Sequence, residues 1–214
     1  LEESRIPTEK GEPLWLEGDE ARHFCTLSAG WAYAYRHFAD GTRHILELFL
    51  PGDVIGLQEF PFQRRLSSVA MLEAGEVRPF SHHHLLDFFR DSSRLTALSF
   101  AAASYRQALL GARVVHLSRR SARQRIAYLL FELFSRLKRT GEALDDRFRV
   151  PLSQQHFADT LGLSSVHVSR TLTVFREERV LERSRDWIHI LDPSALAREA
   201  GVSESLHEGL VDSH

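Results

Sequence analysis

Between Pro151 and Leu172 the chain reads PLSQQHFADTLGLSSVHVSRTL, and this stretch holds the residues best suited to chemistry. Arg170 carries a planar guanidinium that can pair with both acceptors on a guanine edge. Ser165 and Ser169 can donate or accept a hydrogen bond, and Val166 can meet a thymine methyl. On helical spacing these four share the outward face of one helix. Ser153, Gln154, Ser164 and His167 are expected to contact phosphate around that face, and Arg185 to do so from a later turn. Arg170 also has plainer uses, pairing with Glu177 on its own helix or with a phosphate.

Those side chains are useful only if something holds the helix still and presents it. Ser153 can cap a short first helix, which Phe157, Ala158 and Leu161 give an apolar face. Gly162 permits a sharp turn and Leu163 plugs the angle. Ser164 caps the second helix, where Val168, Leu172 and Phe175 point inward. This order predicts a helix-turn-helix, a unit that lays its second helix in the major groove of DNA. Val180-Leu181-Glu182-Arg183 and Trp187-Ile188-His189-Ile190 follow as two short strands about the polar turn Ser184-Arg185-Asp186. Together they predict a wing.

The rest of the chain changes period twice. From Leu14 to Phe80 it reads as short strands. Trp31–Tyr35 and His44–Phe49 flank Asp40-Gly41, a tight hairpin signal, and Pro51-Gly52-Asp53 is a second turn. Ser67–Leu72 and Glu76–Phe80 are further strands, and the set suggests a sandwich or jelly roll. Ser81 is a plausible cap for a helix to about Arg90. A longer helix follows from about Ser93, with Leu95, Leu98, Ala102, Tyr105, Leu109, Ala112 and His116 alternating at three and four. That is the spacing of a coiled-coil dimer seam, although an ordinary core-facing helix would also satisfy it. A third helix is expected over about Ser118–Arg139, stopped by Thr140-Gly141. The fold class expected is α+β: an N-terminal jelly-roll-type β domain, a long dimerisation helix and a C-terminal winged helix-turn-helix. The boundaries expected are 1–92 for the β domain, 93–117 for the helix, 118–192 for the winged domain and 193–214 for a C-terminal extension.

Composition narrows the classes. The chain has 214 residues, a formal net charge of −2 and one cysteine, Cys25. A lone Cys excludes an intramolecular disulfide framework and any zinc or iron–sulfur site built on several cysteines of one chain. There is no apolar run of membrane-spanning length, which leads to a cytoplasmic expectation with no membrane partner. Met71 is the only methionine and Leu1 comes first, so residues are expected ahead of Leu1. Weak net charge does not exclude DNA, because affinity follows local charge. Arg106, Arg113, Arg119, Arg120, Arg123, Arg125, Arg136, Lys138 and Arg139 crowd the middle of the chain. They are either solvated helix faces or a basic approach to the helix-turn-helix.

With these motifs in hand, the chain resembles the CRP/FNR family of bacterial transcription regulators over nearly its whole length. Gly30, Asp40-Gly41 and Pro51-Gly52-Asp53-Val54-Ile55-Gly56 carry the likeness to the family's cyclic-nucleotide-binding-type β-roll. The long helix is similar to its dimer helix, and the C-terminal part to its winged helix. The resemblance implies a homodimer on a roughly palindromic operator, with Arg170 as the reader of guanine, and RNA polymerase as a further partner. Many relatives carry a Glu where Val166 stands, so the operator is expected to depart from the family half-site there.

The effector site departs from the pattern. Family members that bind cyclic AMP follow the Gly with Glu, for the ribose hydroxyl, and later carry Arg-Ser or Arg-Thr. Here Gly56 is followed by Leu57 and Arg65 by Leu66, and Glu59 would replace the missing acid only after a loop shift. Gly56, Leu57, Glu59, Arg65 and Leu66 are therefore the candidate pocket, and cyclic AMP is not expected in it. Arg64 and Arg65 otherwise read as a solvated loop. The iron–sulfur cluster of the oxygen-sensing branch needs more cysteines than Cys25, which reads as buried and inert. His82-His83-His84 leaves haem or a metal as an alternative, although consecutive helical residues diverge. No metal site and no cofactor are assigned.

A regulator binding DNA is thus the leading reading. The alternative is a small-molecule sensor or scaffold acting through protein contacts. No nucleophile–base pair, phosphate loop or metal motif supports an enzyme.

Overall fold

A computed structural model describes residues 5–202, the side chains of residues 82, 84, 85 and 88 excepted. The chain forms two compact units, residues 1–111 and 112–214.

The first unit is built on two antiparallel four-stranded sheets. Its strands are β1 (Ile6–Thr8), β2 (Pro13–Trp15), β3 (His23–Ala29), β4 (Ala32–His37), β5 (Arg43–Phe49), β6 (Val54–Ile55), β7 (Ser68–Met71) and β8 (Gly75–Ser81). One sheet runs β1-β8-β3-β6 and the other β2-β7-β4-β5. The alternation of each strand sends Trp15, Leu27, Phe49, Ile55, Val69 and Met71 into one apolar core. Cys25 is buried there as well. The Asp40-Gly41 hairpin forms as expected: Phe38 N–H donates to the Thr42 carbonyl at 2.9 Å, and Gly41 takes φ +81°. Gly30 and Gly75 face each other so closely that a Cβ on Gly75 would lie 2.1 Å from the Ala29 carbonyl oxygen. Side chains are excluded from that crossing.

Helices α1 (His82–Asp91) and α2 (Ser93–Arg119) follow. Ser81, expected as a cap, is the last residue of β8. Of the predicted seam on α2, Leu95 and Leu98 are 43% and 45% exposed, while Leu109 and His116 are buried by the chain itself. His116 stacks on Tyr128 with ring centroids 3.8 Å apart.

In the second unit, α3 (Ala122–Arg139) starts later than the sequence suggests. Ser118 does not begin it; its hydroxyl donates to the Val115 carbonyl at 3.3 Å. Ser121 is the cap instead, because Gln124 returns the favour: Ser121 Oγ accepts from Gln124 N–H at 3.2 Å and Gln124 Oε1 from Ser121 N–H at 3.1 Å. This reciprocal capping box stops α2 and restarts the helix. Ile126, Leu129, Leu130, Leu133 and Leu137 of α3 are buried. The unit continues with β9 (Arg147–Arg149), α4 (Gln154–Leu161), α5 (Ser165–Glu177), β10 (Leu181–Ser184), β11 (Trp187–Ile190) and α6 (Pro193–Ala200). Within the stretch 193–214, residues 203–214 lie outside the described residues.

Candidate nucleic-acid interface

The helix-turn-helix is fixed by its caps. Ser153 Oγ accepts from His156 N–H at 3.1 Å, and His156 Nδ1 accepts from Ser153 N–H at 3.2 Å. A histidine thus closes a capping box usually closed by Glu or Gln. Gly162 ends α4 at φ 62°, ψ 42°, the left-handed region that glycine enters without strain. Ser164 caps α5, accepting from His167 N–H at 3.3 Å, and its hydroxyl also lies 3.1 Å from His167 Nδ1. Phe157, Ala158, Leu161, Val168, Leu172 and Phe175 are buried between and beneath the two helices.

With that face buried, α5 turns Val166 and Arg170 outward, Val166 at 56% exposure, and leaves Ser165 and Ser169 half-exposed. Among the described residues no carboxylate pairs with Arg170, Glu177 included. Ser153, Gln154, Ser164 and His167 are exposed or half-exposed at the helix starts. β10 and β11 pair antiparallel from Leu181↔Ile190 to Ser184↔Trp187, closing on Arg185-Asp186. β11 pairs in turn with β9, so the wing is part of a three-stranded sheet. Arg185 sits exposed at the tip with φ +52°.

Sequence reasoning missed the part played by Arg183. Its guanidinium donates to the Leu152 carbonyl and, through Nε at 3.1 Å, to the Arg185 carbonyl. It also covers the Phe157 ring at 5.2 Å. Arg183 therefore braces the wing turn against the helix-turn-helix. Its only sequence signal is its place two residues ahead of the turn.

Part of the basic middle of the chain is committed internally rather than left open, although Arg119, Lys138 and Arg139 are exposed. Arg106 pairs with Glu47 at 3.0 Å and Asp53 at 3.1 Å. Arg113 pairs with the buried Glu132 at 2.6 Å. Arg123 holds Glu178 at 2.6 Å and Glu199 at 2.9 Å. The hydrogen bond to Glu178 raises the Arg123 pKa, and the same bond lowers that of Glu178. Arg125 donates to the Arg120 and Leu161 carbonyls at 3.0 and 3.1 Å. These cations are satisfied inside their own units and brace helices.

The β domain contains a second group of charges, this one buried. Gly56, at φ +91°, leads into a single 3₁₀ turn, Leu57–Glu59. The Glu59 carboxylate accepts from Arg65 Nη1 at 3.2 Å, Leu66 N–H at 2.9 Å and Ser67 N–H at 3.3 Å. Arg65 donates as well to the His23 carbonyl, and its guanidinium lies 3.7 Å from the Trp15 ring centroid. The Arg65 and Glu59 side chains are 0% and 2% exposed. A Cβ on Gly56 would fall 2.9 Å from Arg65 Nη1. The solvated-loop reading is thus corrected for Arg65: the apolar core around Trp15 admits the cation because Glu59 and a carbonyl pair with it. Arg64 remains exposed, donating to the Gly18 carbonyl at 2.8 Å. Leu57 is half-buried and Leu66 is 46% exposed.

Of His82-His83-His84, the side chains of His82 and His84 lie outside the described residues; His83 is exposed. Among the described residues no group of three metal-ligating side chains occurs, and no helix is long and apolar enough to cross a membrane.

Comparison with known proteins agrees with this architecture. A family model for the cyclic nucleotide-binding domain matches residues 5–92, and one for the Crp-like helix-turn-helix domain matches residues 124–199. The transcriptional activatory protein AadR of Rhodopseudomonas palustris is 30% identical over 182 residues, covering 85% of this chain and 75% of that protein. The fumarate and nitrate reduction regulatory protein of Vibrio cholerae is 26% identical over 202 residues, covering 94% and 80%. The structure of FixK2 from Bradyrhizobium japonicum superposes with a TM-score of 0.84 at 22% identity, covering 94% of this chain and 98% of that one. With a β domain, a long helix and a winged helix-turn-helix in this order, and a relative that is alike over most of both chains, the protein belongs to the CRP/FNR family of DNA-binding transcription regulators.

Proposed function

We propose that the protein acts as a cytoplasmic homodimer that reads a two-fold operator, without control by cyclic AMP, and meets RNA polymerase at promoters. The observation that carries this reading is the outward face of α5, where an unpaired Arg170 stands beside Val166 and Ser169. Ser165, Val166, Ser169 and Arg170 would contact bases. Ser153, Gln154, Ser164, His167 and Arg185 would contact phosphates. The division of labour follows residues 1–92 as a sensor-type domain, 93–117 as the dimer helix and 118–192 as the reader.

The exposed stripe of α2 supports a second copy of this chain as its partner. Phe100, Leu110 and Val114 are 75%, 47% and 65% exposed, and Ala103 and Gln107 are exposed between them. These five residues recur at three and four, the repeat of a helix–helix seam. The stripe lies on the other side of α2 from Leu109 and His116, which the chain already covers. Leu95, Leu98, Ala102 and Tyr105 would flank the contact near its start.

The buried Glu59–Arg65 pair supports independence from cyclic AMP. The cation that would meet a cyclic phosphate is spent on Glu59 and Trp15. Binding would have to break a buried pair, and Leu57 offers no acceptor for a ribose hydroxyl.

Half-site spacing tests the reading. Affinity should be high when half-sites lie about one helical turn apart, roughly 34–36 Å, and collapse when half a turn is inserted. Leu110→Asp should give monomers in sedimentation and lose the spacing dependence. Equal affinity for both spacings, or a dimer that survives Leu110→Asp, would contradict the dimeric reading. A cyclic AMP titration that raised DNA affinity would contradict the effector reading.

A further inference from the structure

Between α5 and the wing lies a cleft of about 280 Å³ whose lining includes Gln154, Ser169, Thr173, Arg176, Arg183 and Arg185. Three arginines line it, and no acidic residue does. Asp186, which follows Arg185 in sequence, is turned to Arg149 at 3.3 Å. The cleft is anchored on Arg183, already tied to the Leu152 and Arg185 carbonyls. Burial lowers the pKa of Arg183, an effect that Asp186 opposes, so an anion at the cleft would relieve a cost already present. Arg176 and Arg185 are exposed, and among the described residues neither has an ion-pair partner.

Ser169, Thr173 and Arg176 stand at i, i+4 and i+7 on α5, so they continue one face of the base-reading helix toward its C-terminal end. The Thr173 hydroxyl, bonded at 3.1 Å to the Ser169 carbonyl, keeps oxygen lone pairs for a further donor but no second proton. The guanidinium groups are therefore the donors on which an anion must depend. A phosphate oxygen suits them, because the planar fork of Arg matches phosphate geometry.

We propose that this cleft clamps one backbone phosphate of the duplex between Arg176 and Arg185, with Arg183 as the fixed floor. Arg176 is thereby a positioning residue: it sets how far α5 enters the groove and carries no base preference. The inference rests on the DNA-reading function proposed above and adds a contact to it.

The test is the slope of log affinity against log salt, measured on one operator and on random duplex for the wild type, Arg176→Ala, Arg176→Lys, Arg185→Ala and the Arg176→Ala/Arg185→Ala pair. Each phosphate contact contributes about 0.9 to that slope, so Arg176→Ala should flatten it by about 0.9 per protomer on both DNAs. Arg176→Lys should restore most of it, and the double variant should lose no more slope than a single one, because one phosphate is shared. Unchanged melting of the free protein would set a folding defect aside. An unchanged slope in Arg176→Ala would overturn the clamp while leaving the DNA-reading function intact, and additive slope losses would overturn the sharing of one phosphate. A wild type with no salt-dependent DNA binding would overturn the function and the clamp together. Inorganic phosphate, titrated at constant ionic strength, separates the two sources of the anion. If it stabilises the wild type but not Arg176→Ala, and the DNA slope is unchanged, the cleft is a free-anion site and the duplex contact is refuted.

Discussion

Arg65 and Arg170 put the same guanidinium to opposite uses. Arg65 is sealed beneath the β domain, paired with Glu59, bonded to a carbonyl and stacked on Trp15. Arg170 stands on the outer face of α5 with no carboxylate beside it. A buried cation must have its charge answered within the chain, because desolvation is too costly otherwise. A solvated cation costs little to leave open and keeps its donors for a partner. The contrast recurs along the chain: Arg106, Arg113 and Arg123 are paired with carboxylates, whereas Arg170, Arg176 and Arg185 are not. The gathering of three such open arginines about α5 and the wing supports the proposed reading of that face, which the density of arginines in the sequence does not.

The comparison breaks first at Glu59. Replacing Glu59 with Leu leaves Arg65 buried and unpaired, and unfolding in urea should show a loss of about 3–5 kcal/mol. Adding Arg65→Met should recover most of it, since apolar groups of similar volume often substitute for a buried pair without loss. A single variant as stable as the wild type would mean that the pair is solvated, and the contrast with Arg170 would fail.

A smaller effect is expected at the start of the first helix of the helix-turn-helix. Ser153→Ala removes one arm of the capping box with His156 and should cost about 1 kcal/mol, read from the same denaturation curves. Loss of DNA affinity beyond that explained by unfolding would show that Ser153 also meets a phosphate.

The smallest effect is a pH dependence. Burial, and next the Arg120 charge, hold the His116 imidazole below its ordinary value of 6.5, against the opposing pull of Glu132. The unfolded chain therefore takes up this proton more readily than the folded one. Stability from this group is present above about pH 6.5 and is lost as pH falls below it. His116→Phe should keep the stack on Tyr128 and flatten that part of the stability curve. Parallel curves for the wild type and the variant would assign the acid loss elsewhere.

Much of this architecture is legible in the sequence. The helix-turn-helix depends on local signals, namely two serine caps, one glycine and an apolar repeat, and all of them act within a few residues. The hairpin at Asp40-Gly41 is local in the same way. The start of α3 is less legible, because two serines compete for the cap and the glutamine at the third helical position decides between them. The burial of Arg65 was not legible at all. Its partners Trp15 and His23 stand far away in sequence and meet it only when the sheets close. The face of α2 is a similar case. Two stripes on it satisfy the same spacing, and only packing decides that Leu109 and His116 turn inward while Leu110 and Val114 turn out.

Selection of bound sequences from a random pool of duplex DNA, run with the wild type and with Arg170→Ala, tests the central claim most directly. The wild type should enrich two inverted half-sites about one helical turn apart, each with a strongly preferred guanine. Arg170→Ala should keep the symmetry and spacing, bind about 1–3 kcal/mol more weakly and lose the preference at that one base pair. Enrichment of no symmetric site by the wild type, or an Arg170→Ala variant that binds uniformly more weakly with every base preference intact, would contradict the account.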